Sequence, residues 1–183
     1  QPAANILDRE FTATAPNQKW VTDITDLATS ADWVYLAAVI DQFSRKVVGW
    51  SVSQSLATDL VQAALKDAIE KRRPDGSQLL HHSDRGCQYT SNAYQQTLGI
   101  TCSMSRTGNC YDNAVAERFF WSLKYEWTNH RVYPDLESAR QRVFNYIEIF
   151  YNQRRRHQTL DLISPSEFET EFHNRITKAA ETT

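Results

Sequence analysis

Three carboxylates, far apart in the chain, stand where an acidic side chain could do chemistry. Asp23 lies within a strand-like segment, Asp84 follows a second one, and Glu117 falls in the first turns of a predicted long helix. A charge within a strand is costly unless it is paired, and ligands of open α/β sheets collect beyond the carboxyl ends of the strands. Converging carboxylates could hold Mg²⁺, and a pair of such ions supports in-line phosphoryl displacement. Because the chain has 22 acidic residues, spacing alone leaves solvated or capping roles open for all three.

The elements that must position these acids follow from hydrophobic periodicity. Alternating and helical patterns predict, in chain order, strands over residues 20–28, 33–40 and 46–52, a helix over 58–72, a strand over 79–83, a helix over 91–98, a strand over 100–103, and long helices over 114–129 and 136–151. A capping box at Ser164–Glu167 begins a last helix. This order predicts an α/β, RNase H-like fold, with a mixed five-stranded sheet (three antiparallel strands plus two) and helices on both faces.

Composition limits the class of protein. Of the 183 residues, 41% are apolar, enough for a packed domain, which we expect to comprise a lead-in at 1–18, a core at 19–160 and a helical tail at 161–183. The longest apolar run, residues 34–40, is far shorter than the roughly 20 residues that span a bilayer, and no signal peptide is visible. The three cysteines form no C-x-x-C pair, which argues against a disulfide framework or a zinc site. We therefore expect a cytoplasmic protein without a membrane partner.

The net charge of −2 excludes a polycation that coats DNA, but the charge is unevenly distributed. Residues 118–157 contain eight basic residues and four acidic ones. Lys124 follows Glu117 by seven residues, so the two side chains lie within about 20° on one helix face. An ordinary solvated helix surface would show the same excess, and charge alone does not separate these interpretations.

Further segments carry a family resemblance, and all of them occur in the family's order: Trp20–Thr25, Tyr35–Trp50, His82–Ser91, Ser103–Ala114, Glu117–Phe120, Tyr151–His157 and Ser164-Pro165. They resemble the integrase core of bacterial insertion-sequence transposases, the family typified by insertion sequence three, which are relatives of retroviral integrases. The resemblance covers nearly all of residues 17–170.

The resemblance implies a site, a metal and a reaction. Carried over by position, the D-D-E triad is Asp23, Asp84 and Glu117, binding Mg²⁺ or, as a substitute, Mn²⁺. Lys124 matches a basic residue that the family tends to have. The implied activity is DNA 3′-end cleavage and strand transfer, with transposon ends and target DNA as partners. The implied protein is a homo-oligomer in its DNA complex, is nucleoid-associated when bound to DNA, and has an upstream helix-turn-helix region absent from this chain.

Basic residues near the triad or in the closing segment are the candidate DNA contacts: Arg85, Arg106, Arg118, Lys124, Arg154, Arg155, Arg156 and His157. Such contacts to phosphates supply affinity without reading sequence. The interval between Asp84 and Glu117 is shorter than is common in the family. Two alternatives therefore stay open: a related nuclease without strand transfer, and a decayed copy that binds DNA or a protein partner.

Other polar and aromatic residues favour structural roles. Asp26 is expected to face away from Asp23 by strand alternation, and Asp41 to form a tight turn. Trp121 is expected to pack rather than stack on a base. A thiol nucleophile or zinc site built from His81, His82 and nearby cysteines lacks the required partners and spacing.

Overall fold

A mixed β-sheet is the centre of the fold. The computed structural model describes residues 13–30, 32–56, 58–75, 79–83, 101–104, 114–128 and 132–182. The strands lie in the order β3-β2-β1-β4-β5, and their bounds are β1 Lys19–Ala28, β2 Trp33–Asp41, β3 Val47–Ser53, β4 Leu80–Ser83 and β5 Thr101–Met104. β2 is antiparallel to β1 and β3, whereas β4 is parallel to β1 and β5.

The helices of the described residues follow the predicted order. Their bounds are α1 Thr58–Arg72, α2 Ala114–Ser122, α3 Leu136–Phe144 and α4 Pro165–Glu181. α2 and α3 each continue directly into π-helical turns, over Leu123–Thr128 and Asn145–Tyr151. The predicted capping box is present, because Ser164 and Glu167 exchange side-chain-to-backbone hydrogen bonds. The predicted helix over 91–98 lies outside the described residues.

Strand alternation gives the sheet two buried faces. Val21 and Leu27 of β1 pack in one core with α2, α3 and their π-helical turns. Trp20 packs in a second core with α1, and Ile24 lies against it. Residues two apart on a strand share a face. The predicted α/β architecture with helices on both faces of a mixed sheet is therefore confirmed.

A buried ion cluster attaches α4 to the core. Both terminal nitrogens of Arg72 in α1 donate to the Glu169 carboxylate at 2.8 Å, and Ser44 Oγ donates at 2.7 Å. Lys46 Nζ lies 3.3 Å away. Burial opposes ionisation of Glu169, but Arg72, Lys46 and Ser44 outweigh it and hold the pKa of Glu169 below its usual range. The first half of α4 is thus joined to α1 and to the β2–β3 turn.

Gly49 permits the close approach of α1 to β3. An added Cβ at Gly49 would collide with the backbone of Ala64 and Ala68, and would lie 2.6 Å from the Ala68 Cβ. Both alanines are fully buried in the α1 core. Helix backbone cannot move aside cheaply, so only glycine fits this position of β3.

Gly49→Ala should therefore destabilise the fold by at least about 1–3 kcal/mol, the usual cost of overpacking a core. Urea unfolding followed by circular dichroism measures the change. Ser51→Ala, two residues further along the same face of β3, is the matched control and should cost less than about 1 kcal/mol. Equal stability of the two variants would contradict the close approach of α1.

Candidate active site

Asp23 lies in the middle of β1, on the face that α2 covers. It stands opposite Ala38 in the β1–β2 ladder and is half-buried. It shares this face with Val21, which packs in the α2 core. Its Oδ1 accepts a hydrogen bond from the Ile24 N–H at 2.8 Å. The position of the carboxylate is therefore set by β1 rather than by a loop.

Glu117 lies in the first turn of α2, on the exposed side of a buried stripe. Ala116, Phe119, Phe120 and Leu123 are buried in the core between the helix and the sheet, which confirms the predicted apolar stripe. α2 contacts β1 and β2 directly. Glu117 itself is exposed, so its carboxylate is at the solvent side of an element that is packed on the strand of Asp23.

The parallel β1–β4 ladder joins the strand of Asp23 to the strand that precedes Asp84 in the sequence. Its described pairs run from Lys19 opposite Leu80 to Thr22 opposite Ser83. Across the strands, the Thr22 hydroxyl and His81 Nε2 are 2.8 Å apart. Asp23 and Asp84 are the residues that follow the last pair in the chain. Asp84 itself lies outside the described residues, as do Arg85 and Arg106.

His81 holds this ladder as a neutral group. Its ring is buried, and burial, together with the neighbouring His82, lowers the pKa of His81 to about 4. An uncharged imidazole can share a proton with the Thr22 hydroxyl without a counter-ion. His81 is thus a structural component of the strand that precedes Asp84. No sequence pattern predicts this hydrogen bond, because strand register decides which side chains meet.

Lys124 reaches the end of β1 from the π-helical turn. Its Nζ lies 3.1 Å from Asp26 Oδ1, and both side chains are about half-exposed. Asp26 is exposed near the end of β1, and its predicted orientation away from Asp23 stays a prediction. An exposed pair of this kind is worth at most about 1 kcal/mol. A phosphate could therefore replace Asp26 as the partner of Lys124 at little cost.

Known families match this chain along most of its length. Two family models, each described as an integrase core domain, match residues 13–110 and residues 98–165. The chain belongs to the integrase core domain family. The first of these models alone covers more than half of the chain.

Curated relatives of the chain come from bacterial insertion sequences. The transposase for insertion sequence element IS904 of Lactococcus lactis is 45% identical over 168 residues, covering 90% of this chain and 66% of that protein. An uncharacterized 31 kDa protein of insertion element IS600 from Shigella sonnei is 42% identical over 174 residues, covering 93% of this chain and 64% of the relative. The predicted resemblance to insertion-sequence transposases is confirmed. The chain spans slightly less than two thirds of the length of these relatives.

A solved structure supports the fold. The HTLV-2 integrase catalytic core domain in complex with magnesium (trimeric form) matches with a TM-score of 0.63 at 16% identity. The match covers 86% of this chain and 99% of that one. The RNase H-like fold predicted from element order is therefore confirmed.

Among the described residues of this integrase core, no group of three or more His, Cys, Asp or Glu side chains is placed to hold a metal ion. Asp84, the middle acid of the predicted triad, is not among them. In the same residues, no helix is long and apolar enough to cross a membrane.

The Arg155 side chain makes hydrogen bonds within the integrase core. Its Nε donates to both carboxylate oxygens of Glu126, at 3.0 and 2.7 Å, and its Nη2 donates to Ser122 Oγ at 3.2 Å. The Arg155 side chain is only 18% exposed. A DNA phosphate would therefore have to replace Glu126 and Ser122 as the partners of the Arg155 guanidinium. These internal contacts join α2 and its π-helical turn to the segment after α3.

His157 likewise serves the fold. Its ring packs edge-on against Tyr151, with centroids 4.9 Å apart. Burial and the charge of Arg155 lower the pKa of His157 to about 4. A neutral imidazole at physiological pH has no charge to offer a phosphate. Arg154 and Arg156, by contrast, are exposed.

Trp121 packs on a neighbouring ring rather than in the core. The residue is 51% exposed, and its ring stacks on Tyr125 with centroids 4.9 Å apart and planes 8° apart. The Arg118 guanidinium lies 5.0 Å from the centroid of the Trp121 ring.

The turn role predicted for Asp41 is confirmed, because its Oδ1 accepts a hydrogen bond from the Phe43 N–H at 2.8 Å.

The lowered pKa of His81 predicts a specific loss of stability in acid. Unfolded chain binds a proton on His81 near its ordinary value of about 6.5, whereas the folded protein does so only near pH 4. Between these values the unfolded state holds more protons, so the free energy of unfolding should fall as pH is lowered, by up to about 3 kcal/mol.

Urea unfolding between pH 7 and 4 measures this loss. His81→Gln should have a shallower pH dependence than the parent chain. His173→Gln, exposed on α4, is the matched control and should keep the parent slope. A His81 variant with an unchanged slope would show that the buried imidazole is not the responsible group.

Proposed function

We propose that this chain is the catalytic core of a DDE transposase, which cleaves DNA at transposon 3′ ends and joins them to target DNA. The β1–β4 ladder carries the proposal, because Asp23 and Asp84 directly follow its last described pair, Thr22 and Ser83. Asp84 follows Ser83 across one peptide bond, and Asp23 follows Thr22 in the same way; consecutive Cα atoms are about 3.8 Å apart. Glu117 is supplied by α2, which packs on β1.

The donor chemistry fits a hard divalent cation. Asp23, Asp84 and Glu117 offer only carboxylate oxygens, the ligands that Mg²⁺ accepts alongside water and phosphate. The solved HTLV-2 core is named as a magnesium complex, and we propose Mg²⁺ here, with Mn²⁺ as a substitute. When bound, two such ions would supply activation of the attacking oxygen and stabilisation of the leaving oxygen.

The chain's own residues would hold the DNA strand over this site. Asp23 is fixed by β1 and Glu117 by the buried stripe of α2, so neither acid depends on a surface loop for its position.

In the first reaction water attacks the phosphodiester at the transposon end and releases a 3′-hydroxyl. In the second, that hydroxyl attacks a target phosphodiester, and no covalent protein–DNA bond forms.

We propose Arg118, Lys124, Arg154 and Arg156 as DNA phosphate contacts within the described residues, together with Arg85 and Arg106 outside them. All four described side chains are exposed. Arg155 and His157 are assigned instead to positioning, because Arg155 pairs with Glu126 and His157 is neutral. The transposase is proposed to act as a homo-oligomer on transposon ends and target DNA, to be nucleoid-associated, and to have a helix-turn-helix region upstream of this core.

Removal of any acid should abolish the reaction, because the three act as a unit. Asp23→Asn, Asp84→Asn and Glu117→Gln should each lower Mg²⁺-dependent strand transfer by at least about 10³-fold. The assay joins a pre-cleaved, labelled DNA end to a plasmid and resolves the product on a gel.

Glu137→Gln is the matched control, since Glu137 is an exposed acid on α3, and it should retain parental activity. A Glu117→Gln protein that joins DNA at the parental rate would refute the triad. A parent chain that cleaves an uncut end in a parallel reaction, but joins no pre-cleaved end to the plasmid, would instead indicate a nuclease.

The salt dependence of DNA affinity should distinguish the exposed cations, as phosphate contacts, from Arg155. Each lost phosphate contact should reduce the slope of log K against log salt by about 0.9. Arg154→Gln, Arg156→Gln and Lys124→Gln should each do so in anisotropy titrations with duplex DNA, and should leave the free energy of unfolding within about 0.5 kcal/mol of the parent. Arg155→Gln should leave the slope unchanged and destabilise the fold. The reverse pattern would restore Arg155 as a DNA contact.

A further inference from the structure

Three side chains form an exposed stack on α2 and its π-helical turn. Arg118, Trp121 and Tyr125 follow one another at helical spacing, with the guanidinium over the Trp121 ring and the Tyr125 ring parallel to it. Trp121 is 51% exposed and Tyr125 is 70% exposed. Among the described residues, Tyr125 has no other ring neighbour. This Arg118–Trp121–Tyr125 stack therefore ends in a ring that faces solvent.

The stack adjoins Glu117 on α2. At about 100° per residue of α-helix, Trp121 lies roughly 40° from Glu117 around the axis of α2, and Lys124 and Tyr125 follow in the π-helical turn. Within one helix turn, a cation and an aromatic surface thus adjoin the acid of the proposed catalytic site.

The chemistry of this surface fits a nucleobase better than a protein side chain. Platforms for unpaired strands combine positive charge for the phosphates with aromatic rings on which the bases stack. Arg118 and Lys124 provide the charge, and Tyr125, supported by Trp121 behind it, provides the ring. An apolar protein contact would instead be depleted of charged residues at its centre.

We propose that the Arg118–Trp121–Tyr125 stack binds an unpaired nucleobase of the DNA strand that enters the acid site, on the open face of Tyr125. This inference rests on the proposed transposase function. A paired base inside a duplex has both faces covered by its neighbours. Only an unpaired or terminal base can therefore use the stack, and the ligand class is DNA with a single-stranded extension.

Binding of matched DNA probes tests the proposal. One probe is a blunt duplex, and the other carries a short single-stranded overhang with 2-aminopurine, whose fluorescence is quenched by stacking. The full chain should bind the overhang probe about tenfold more tightly than the blunt one, the value of one base–aromatic stack. Tyr125→Leu should remove this preference and the quenching, and should leave blunt-duplex affinity unchanged.

Two variants serve as controls. Tyr125→Phe keeps the ring and should restore both the preference and the quenching. Trp33→Leu removes an aromatic residue that is 53% exposed at the start of β2, away from α2, and should behave as the parent chain. Circular dichroism of each variant checks that it is folded.

The outcomes separate the stack from the function on which it rests. If the parent chain joins DNA ends but Tyr125→Leu keeps the overhang preference, the stack proposal is overturned and the transposase proposal stands. If the parent chain neither binds nor joins DNA, both fall. If Tyr125→Leu instead disperses an oligomer seen by sedimentation, with no change in overhang binding, the stack is a protein contact and the nucleobase proposal is overturned.

Discussion

The parallel pairing of β4 with β1 is the contact on which the proposed site depends. β4 has only four residues, and short strands are held by their neighbours rather than by their own propensity. The Thr22–His81 hydrogen bond adds a side-chain contact to this ladder in a fully buried position. A register shift of one residue would turn His81 away from Thr22. The ladder therefore sets the register of the strand that precedes Asp84 in the sequence.

The third acid is supplied by an exposed position on a firmly held helix. Beneath α2, Phe119 packs against Tyr146 and Tyr151 of the neighbouring helix. Glu126 accepts from both Arg155 and Tyr146, which closes the π-helical turn against the segment that follows α3. Aromatic packing and one partly buried ion pair thus fix the axis of α2, so Glu117 can be both solvent-accessible and well positioned.

Periodicity predicted the elements, because burial repeats with the geometry of helices and strands. The apolar stripe of α2, the capping box at Ser164 and the turn at Asp41 each depend on local residues, and each was recovered from sequence. Long-range partners were not. Arg154, Arg155 and Arg156 are identical in type, and only the fold brings Glu126 and Ser122 to the middle one. The same reason explains Lys124, whose partner Asp26 is 98 residues away. Trp121 is a different case, because its contacts with Arg118 and Tyr125 are local but lie off the buried stripe.

The division between paired and exposed charges reconciles a net charge of −2 with the proposed DNA contacts. Arg72 and Lys46 are committed to Glu169, and Arg155 to Glu126. Arg72 and Lys46 neutralise a buried acid, Arg155 neutralises one at the surface, and all three cations therefore add little to the outer field. Arg118, Arg154 and Arg156 are left exposed, and Lys124 is restrained only by a solvent-exposed pair. Because phosphate contact energies depend on these outer charges rather than on the total, the overall acidity of the protein does not oppose local binding of a DNA backbone beside Glu117.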